Sequence, residues 1–332
     1  MMKKRNYFLL IALFFCNYLI AQDPHFSQFF MAPQFVNPAI VGTSSGDWRL
    51  MSNLRQQWGN AGTPFNTETF AGEIKLIGKE KTDNTLGAGF ALMSDQSMNG
   101  SFRSVYLSGS LAYHAQLSEN SRFGMGFQGT YANRRIDYSK LTFGEQFTSG
   151  GFDVNLPTGE NAISNMKPFF SAGAGLLYNY STEILNIDAG VAAFHLNKPK
   201  QTFLDNGNEI LPIRYLAHAN LEYKASDLML FGVNTCFQQQ AKPAYFAIGG
   251  SVGMDLSAGD GSSVIYGGGW FREGDSFYPY AGWLINNVQI GFSYDITHSK
   301  QDQGPSIPKS FEMSIVIKQK TTKAGVIPCP WK

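Results

Sequence analysis

The chain has 332 residues and a net charge of +1, and 15% of its residues are charged while 14% are aromatic. A long disordered chain combines few aromatic residues with more charge, so this composition excludes one. No basic cluster follows residue 5, which disfavours a protein that binds nucleic acid through phosphate charge. The 35 glycines exceed the usual share of about 7%. Glycine and aromatic residues with little charge suit strongly curved strands that face lipid or another sheet.

The beginning of the chain has the pattern of an export signal. Basic residues at 3–5 precede a mostly apolar stretch over 6–20, and Ala21 offers a cleavage site. We therefore predict a secretory signal peptide over 1–21 that is removed from the mature protein. After this segment, no apolar run approaches the roughly 18–20 residues that a membrane-spanning helix needs.

Most of the remaining chain alternates between apolar residues and small or polar ones. Over 287–297, apolar residues occupy every second position from Val288 to Ile296, and the stretches 102–117 and 243–258 repeat this pattern. A period of two predicts strands with one apolar face. Segments of this length exceed the ~5–6 residues of typical strands and suit the ~9–11 residues of a tilted membrane-spanning strand.

The alternation predicts fourteen strands within 47–319. In hydrocarbon every backbone polar group needs a partner, and only a closed sheet has no free edges. We therefore predict an all-β fold, a transmembrane antiparallel β-barrel of about fourteen strands. The predicted strands cover 47–58, 66–77, 84–94, 102–117, 121–135, 167–181, 184–195, 211–224, 227–239, 243–258, 263–273, 276–285, 287–297 and 310–319.

The connections between the predicted strands alternate in length. One set stays within about six residues, whereas the other set includes long loops at 59–65, 136–166, 196–210 and 298–309. Outer-membrane barrels have short periplasmic turns and longer external loops. This alternation favours a barrel whose first strand starts in the periplasm and runs outward.

The alternation also predicts which residues face the lumen and which face lipid. We expect Arg49 and Arg55 in the lumen, because an arginine on the lipid side near the midplane costs about 2–4 kcal/mol. Aromatic residues near the strand ends are expected to form the girdles at the membrane interfaces. These residues are Trp48, Trp58, Trp270, Trp283, Tyr278 and Tyr280.

Two segments do not fit the strand pattern. Residues 22–46 are rich in proline, asparagine and phenylalanine without a period, which predicts a periplasmic arm or a plug folded into the lumen. Residues 320–332 are predicted to form a periplasmic tail. Two cysteines follow the signal peptide, Cys236 and Cys329, and their spacing leaves open whether they pair or stay separate thiols.

The sequence offers no motif for catalysis or cofactor binding. It has no CxxC, HExxH or Walker loop. None of its five histidines stands at metal-ligand spacing from another. We therefore expect no enzyme, no cofactor and no metal site.

The start of the mature chain reads Asp-Pro-x-Phe-Ser-Gln over 23–28 and Asn-Pro-Ala over 37–39, followed by Gly42. With these elements it resembles the PorP/SprF family of type IX secretion outer-membrane proteins of Bacteroidetes. Further matches near the end of the chain are the stretches 291–295 and 310–313. The motif residues that carry the resemblance are Phe26, Ser27, Gln28, Asn37, Pro38, Gly42, Arg55, Gln57 and Trp58.

The resemblance implies a non-enzymatic barrel of the type IX secretion system in the cell outer membrane. Such proteins help to secrete or anchor a partner surface protein, adhesin-like and with its own C-terminal signal domain. Some members are tied to gliding motility, and others contact further components of the secretion machine. The expected partners are therefore a secreted surface protein, other type IX components and outer-membrane lipid, with no nucleic acid.

The longest predicted outer loop suggests where a partner binds. Within 136–166, apolar side chains stand among glycine and threonine residues, and apolar residues on an exposed loop often mark a binding surface. The alternative is that the loop folds back on itself or caps the barrel. The candidate partner-binding residues are Phe143, Phe147, Phe152 and Leu156.

Two other classes of protein fit parts of the pattern. A plugged outer-membrane transport channel for small apolar molecules would have a lateral opening and an apolar pocket in its lumen. A soluble secreted sandwich would have two stacked sheets with free edges.

Overall fold

The computed structural model describes residues 23–60, 63–78, 84–157, 166–202, 209–298 and 309–319. Within these ranges the chain forms one closed barrel and one separate two-stranded hairpin. The strands are β1 (Trp48–Gln57), β2 (Phe65–Ile77), β3 (Thr85–Ser97), β4 (Phe102–Ser118), β5 (Ser121–Ile136), β6 (Phe147–Thr148), β7 (Gly151–Phe152), β8 (Phe169–Ser181), β9 (Leu185–Phe194), β10 (Arg214–Lys224), β11 (Met229–Gln240), β12 (Ala244–Asp255), β13 (Ser263–Arg272), β14 (Ser276–Ile285), β15 (Val288–Thr297) and β16 (Lys309–Lys318).

The predicted closed antiparallel barrel of fourteen strands is confirmed. Neighbouring strands pair in chain order, β5 pairs with β8 past the small hairpin, and β16 pairs with β1 to close the cylinder. Each predicted strand has an observed counterpart whose ends agree within three residues. Among the described residues, no helix is long and apolar enough to cross a membrane.

Three sequence predictions fall on other parts of the chain. The signal peptide over 1–21, the tail over 320–332 and Cys329 all lie outside the described residues. Cys236 of β11 is buried and carries a free thiol in the structure.

The wall of the barrel separates apolar from polar side chains, as the alternation predicts. On β4, Val105, Leu107 and Leu111 are exposed on the outer surface, whereas the serines between them are buried. Arg49 and Arg55 are 2% and 1% exposed and point inward, which confirms their predicted placement.

Half of the predicted aromatic girdle is wrong. Trp270, Tyr278 and Tyr280 are 0%, 1% and 4% exposed, because their positions on β13 and β14 face the lumen. Phe271 and Phe277 take the neighbouring outward positions. The outward part of the predicted girdle consists of Trp48, Trp58 and Trp283.

The core of the molecule lies inside the barrel. The Phe30 ring stacks on the Trp270 ring with centroids 4.6 Å apart and meets the Tyr280 ring edge-on at 5.6 Å. Because aromatic rings bury large apolar areas, these contacts stabilise the packing of the N-terminal segment against the wall.

The two ends of the barrel differ in their connections. One end, which we call the short-turn end, carries the turns at 78–84, 119–120, 182–184, 225–228, 256–262 and 286–287. The opposite end, which we call the long-loop end, carries the long connections 137–168, 195–213 and 298–308. All connections longer than seven residues therefore fall at one end, as predicted, although that end also carries short connections at 98–101, 241–243 and 273–275.

Candidate functional site

Residues 23–46, which we call the lumen segment, follow the barrel interior as a series of short turns. Three 3₁₀ turns cover Phe29–Met31, Pro33–Phe35 and Pro38–Ile40. Prolines begin the second and third turns. Proline fixes φ and lacks an amide donor, so the segment packs inside the wall and adds no strand to it.

The lumen segment spans the barrel from one end to the other. The Asp23 amide donates to Gln240 Oε1 at 2.9 Å, and Gln240 ends β11 at the long-loop end. Just past the segment, the Asp47 amide donates to Gln319 Oε1 at 2.9 Å at the short-turn end. The segment therefore starts at the long-loop end and leads into β1 at the short-turn end.

Ser27 connects the lumen segment to four strands of the wall. Its amide donates to Glu312 Oε2 at 2.7 Å, and its hydroxyl donates to Asp295 Oδ1 at 2.8 Å. The guanidinium groups of Arg55 and Arg272 donate to the same hydroxyl oxygen, Arg272 at 2.9 Å. We call Ser27 and these four wall residues the Ser27 cluster.

The charges of the Ser27 cluster compensate one another. Arg55 pairs with Asp295 at 3.0 Å and with Glu312 at 3.1 Å, and Arg272 lies 3.6 Å from Asp295. All four side chains are at most 3% exposed. Buried charges need paired partners because the protein interior solvates them poorly. Arg272 also pairs with the half-exposed Asp275 at 2.7 Å.

Gln28 extends the contact beside Ser27. Its side-chain amide donates to Ser293 Oγ at 3.1 Å and to the Glu312 carbonyl at 2.8 Å, and its Oε1 accepts from Ser314 Oγ at 2.6 Å. Gln28 is fully buried. A buried amide with all its hydrogen bonds made fixes one position of the segment against β15 and β16.

Asn37 holds the middle of the lumen segment on the opposite wall. Its Nδ2 donates to the Leu176 carbonyl at 3.0 Å and lies 3.1 Å from His218 Nε2. Its Oδ1 accepts from the Ala39 amide at 2.9 Å and thereby caps the third 3₁₀ turn. A side chain at Gly175 of β8 would collide with Asn37 Oδ1, so the wall is built to receive this asparagine.

Two further close approaches involve glycines of the wall. A side chain at Gly126 of β5 would lie 2.6 Å from Ala39 Cα, and one at Gly87 of β3 would lie 2.7 Å from Gly42 Cα. Gly42 itself has a φ of +83°, which favours glycine. These glycines let the backbone of the lumen segment approach the wall closely.

The start of the lumen segment is held by a buried histidine. His195 Nε2 lies 2.6 Å from Asp23 Oδ2, and His195 Nδ1 lies 2.7 Å from Ser171 Oγ. Burial favours a higher pKa for Asp23, but Arg214 and the hydrogen bond to His195 outweigh it and hold that pKa well below its usual range. Serine, histidine and aspartate are linked here as in a hydrolase triad. All three are at most 6% exposed, so the serine is not accessible to a substrate and the arrangement serves to hold the segment.

The structure divides the motif residues into groups. Ser27, Gln28 and Arg55 meet at the Ser27 cluster, and Phe26 is buried with its ring 5.6 Å from that of Phe35. Asn37, Pro38 and Gly42 form a second group, which packs against β3, β5, β8 and β9. Gln57 and Trp58 lie at the end of β1, and the Trp58 ring meets that of Phe65 edge-on at 5.3 Å.

Sequence reasoning did not assign Asp295, Glu312 or Arg272 to the site. The alternation places all three on inward faces of their strands, which is the available signal. It does not say which part of the chain they meet.

The candidate partner-binding residues lie on the loop that contains β6 and β7. Phe147 and Phe152 are 60% and 44% exposed, and their rings face each other at 5.3 Å. Phe143 stacks on Tyr138 at 5.9 Å and is half-buried, as is Leu156. The loop is therefore folded, with two of the four candidates presented to the outside.

A small cavity remains between the lumen segment and the wall. It has a volume of about 20 Å³, and its polar lining includes Asp188, His218 and Asn220. This is room for about one water molecule. Among the described residues, no group of three or more His, Cys, Asp and Glu side chains is placed to hold a metal ion.

Comparison with known proteins gives a family match and distant structural similarities. The model of the family described as type IX secretion system membrane protein PorP/SprF matches residues 19–317. A search of curated proteins finds no match. Among solved structures, the chain is similar to the TodX deltaS2S3 mutant monoaromatic hydrocarbon channel, with a TM-score of 0.52, 10% identity and coverage of 88% of this chain and 93% of that one.

Two further structures give lower scores. The P. putida toluene transporter TodX has a TM-score of 0.49 and 8% identity, with coverage of 86% of this chain and 93% of that one. A Pseudomonas aeruginosa FadL homologue has a TM-score of 0.49 and 8% identity, with coverage of 85% and 97%. At these identities the likeness concerns the barrel fold alone.

Proposed function

We propose, from the premise that the chain belongs to the PorP/SprF family of type IX secretion system membrane proteins, that it is a plugged outer-membrane scaffold. Its task is to help secrete or anchor a partner surface protein that carries its own C-terminal signal domain. Other components of the type IX system are further partners. In this proposal the barrel positions a partner and does not catalyse a reaction.

The Ser27 cluster is the observation that carries the proposal. Four buried charged side chains contact Ser27, among them Glu312 at 2.7 Å, Asp295 at 2.8 Å and Arg272 at 2.9 Å, and Gln28 and Asn37 add fully buried contacts. Removing one partner of a buried ion pair costs about 3–5 kcal/mol. A segment held in this way supports a permanent plug, because a wide pore would require these contacts to break together.

The difference between the two barrel ends supports an orientation. Outer-membrane barrels have short turns in the periplasm and longer loops outside. We therefore place the long-loop end at the cell surface and the short-turn end in the periplasm. The β6–β7 hairpin then lies outside the cell, where Phe147 and Phe152 are available to a partner.

A transport channel for small apolar molecules is the alternative function. Ligand sites typically have volumes of about 300–1,000 Å³, whereas the cavity beside Phe30 and His218 has about 20 Å³. This cavity is too small for such a ligand, and the buried contacts of the lumen segment with the wall favour the scaffold. Transport would require the lumen segment to move, and a cross-link between the segment and β3 would prevent this.

Affinity purification from detergent-solubilised outer membrane tests the scaffold proposal. We expect the tagged protein to retain one large secreted protein and other type IX components. The variant F147S/F152S should lose the secreted protein, whereas M98S should keep it. Met98 is a matched control because it is 49% exposed at the same end in another connection.

Folding of each variant is checked by the change in electrophoretic mobility on heating, which intact barrels show. Equal recovery of the secreted protein with F147S/F152S and M98S would overturn the role of the hairpin. Absence of any type IX component from the wild-type sample would overturn the scaffold proposal itself.

A further inference from the structure

Two arginines face each other on the outer surface of the barrel. Arg103 of β4 stands directly opposite Arg135 of β5 in the antiparallel ladder, and both side chains are exposed. They lie on the same outward face as Val105 and Tyr131. Side chains directly opposite have Cβ atoms about 4.5–5.5 Å apart, so like charges at this position repel each other.

A similar pair inside the barrel has a compensating carboxylate. Arg49 and Lys318 stand opposite each other on β1 and β16, and both are buried. Glu73 pairs with Arg49 at 3.0 Å. The contrast indicates that two cations placed side by side in this wall need a negative partner.

The carboxylate near the outward pair is shared. Asp137 interacts with both Arg135 and Lys140, and Lys140 Nζ lies 3.8 Å from its Oδ2. A side chain at Gly100 would lie 3.6 Å from both Lys140 Nζ and Gln96 Oε1, and Gln96 stands opposite Arg103 on β3. We call Arg103, Arg135 and Lys140 the outer cation patch. With Asp137 included, its net charge is +2.

The outer cation patch lies above an apolar and aromatic surface. The rings of Tyr131 and Phe170 are 5.4 Å apart on the outward face of β5 and β8. Arg135 is four residues further along β5, about 10 Å closer to the long-loop end at usual strand rise and tilt. Aromatic belts mark the level of the lipid headgroups. The arginines therefore lie on the outer side of this aromatic level and face the polar groups of the outer leaflet, not its hydrocarbon.

We propose that the outer cation patch binds a phosphate of lipid A, the glycolipid of the outer leaflet. Guanidinium groups bind phosphate oxygens through two parallel hydrogen bonds, and a phosphate between Arg103 and Arg135 removes their mutual repulsion. The apolar side chains below them, such as Leu107 and Phe127, face the acyl chains. This assignment rests on the proposed function because it requires the long-loop end to face outward.

Lipid retention tests this site. The mature protein and its variants are reconstituted in phosphatidylcholine bilayers that contain either lipid A or an amount of phosphatidylglycerol with the same total charge. The protein is then extracted in detergent, and the lipids that it retains are identified by native mass spectrometry. We expect wild type to retain lipid A in preference to phosphatidylglycerol. R103A/R135A should retain about tenfold less lipid A, since it lacks both bidentate contacts.

The matched control is K198A/K242A, which removes two other exposed cations from the long-loop end and should retain lipid A as wild type does. R103K/R135K keeps the charge and should give intermediate retention, which also serves if the alanine variant fails to fold. Equal retention by R103A/R135A and wild type would overturn the site, as would equal retention of the two lipids by wild type.

Orientation is measured separately. Thr148, exposed in the β6–β7 hairpin, is replaced by cysteine in a C236S/C329S background and labelled on whole cells with an impermeant maleimide. If the hairpin is labelled and R103A/R135A retains lipid A as wild type does, the lipid site is overturned but the orientation stands. Absence of labelling defeats the orientation on which the proposed function depends.

Discussion

Ser27 and Glu312 are 285 positions apart in the chain, yet the Ser27 amide donates a hydrogen bond of 2.7 Å to Glu312 Oε2. Glu312 lies directly opposite Arg55 in the ladder between β16 and β1, where the barrel closes. Ser27 also accepts a hydrogen bond from Arg55. The lumen segment therefore docks across the closing strand pair, so its docking and barrel closure stabilise each other.

Replacing Arg55 with alanine should destabilise the protein strongly. The change leaves Asp295 and Glu312 buried with one fewer cation, and loss of one partner of a buried pair costs about 3–5 kcal/mol. We expect a clear decrease in the unfolding temperature, measured by heat-dependent electrophoretic mobility. The exposed Lys242 provides the control, and K242A should unfold as wild type does. Equal unfolding temperatures for R55A and K242A would contradict a structural role for the cluster.

Replacing Gly126 with valine should displace the lumen segment and leave the barrel closed. A side chain at Gly126 would collide with the backbone of Pro38 and Ala39. We expect faster amide hydrogen exchange over 34–43 in G126V. Gly129, on the same strand, has no atom within 4 Å of an added side chain, so G129V is the matched control. Protection of 34–43 that is the same in both variants would show that the segment does not depend on this contact.

Acidification should loosen the start of the lumen segment in two stages. Burial, together with Arg272 and Arg55, holds the pKa of His25 well below its usual value of 6.5. The undocked state therefore binds more protons as pH falls below about 6.5, which weakens docking by up to about 1.4 kcal/mol per pH unit. The pKa of Asp23 is also lowered, so its contribution is present above about 3.8 and is lost only as pH falls further.

Hydrogen exchange over 23–30 measures this pH dependence. We expect exchange of this region to increase between pH 7 and pH 5 beyond the intrinsic change. Asparagine cannot be protonated in this range, so H25N should not show this additional increase of exchange between pH 7 and pH 5. A profile for H25N that follows wild type would assign the effect to another group.

The strands could be predicted because apolar and polar residues alternate along each strand, as its outward and inward faces do. Val288 to Ile296 alternate on β15 as they do in the structure, and closure follows from the lack of free edges in lipid. The girdle prediction fails at Trp270 and Tyr278 because it depends on their position near strand ends, whereas their side chains face the lumen. An occupied lumen gives both faces of a strand apolar neighbours, so the pattern becomes ambiguous there.

The contacts of the lumen segment could not be predicted from the sequence. Its turns have no period, and its partners are set by which inward positions lie at the same height in the closed barrel. Asp295 and Glu312 could be assigned to the interior, but their meeting with Ser27 depends on the three-dimensional path of the segment. The residue pattern indicates which face of a strand a side chain lies on, but not which distant residue it contacts.

A disulfide between Val41 and Gly89 should distinguish a permanent plug from a movable one. A side chain at Gly89 would lie 3.1 Å from Val41 Cγ2, a separation that a disulfide bond fits. In the C236S/C329S background, V41C/G89C should cross-link under oxidation and link the lumen segment to β3. If the protein is a scaffold, secretion and surface retention of its partner should be equal in oxidised and reduced cells. V41C alone controls for the substitution. Loss of secretion only in the oxidised double variant would show that the segment has to move and would contradict a permanent plug.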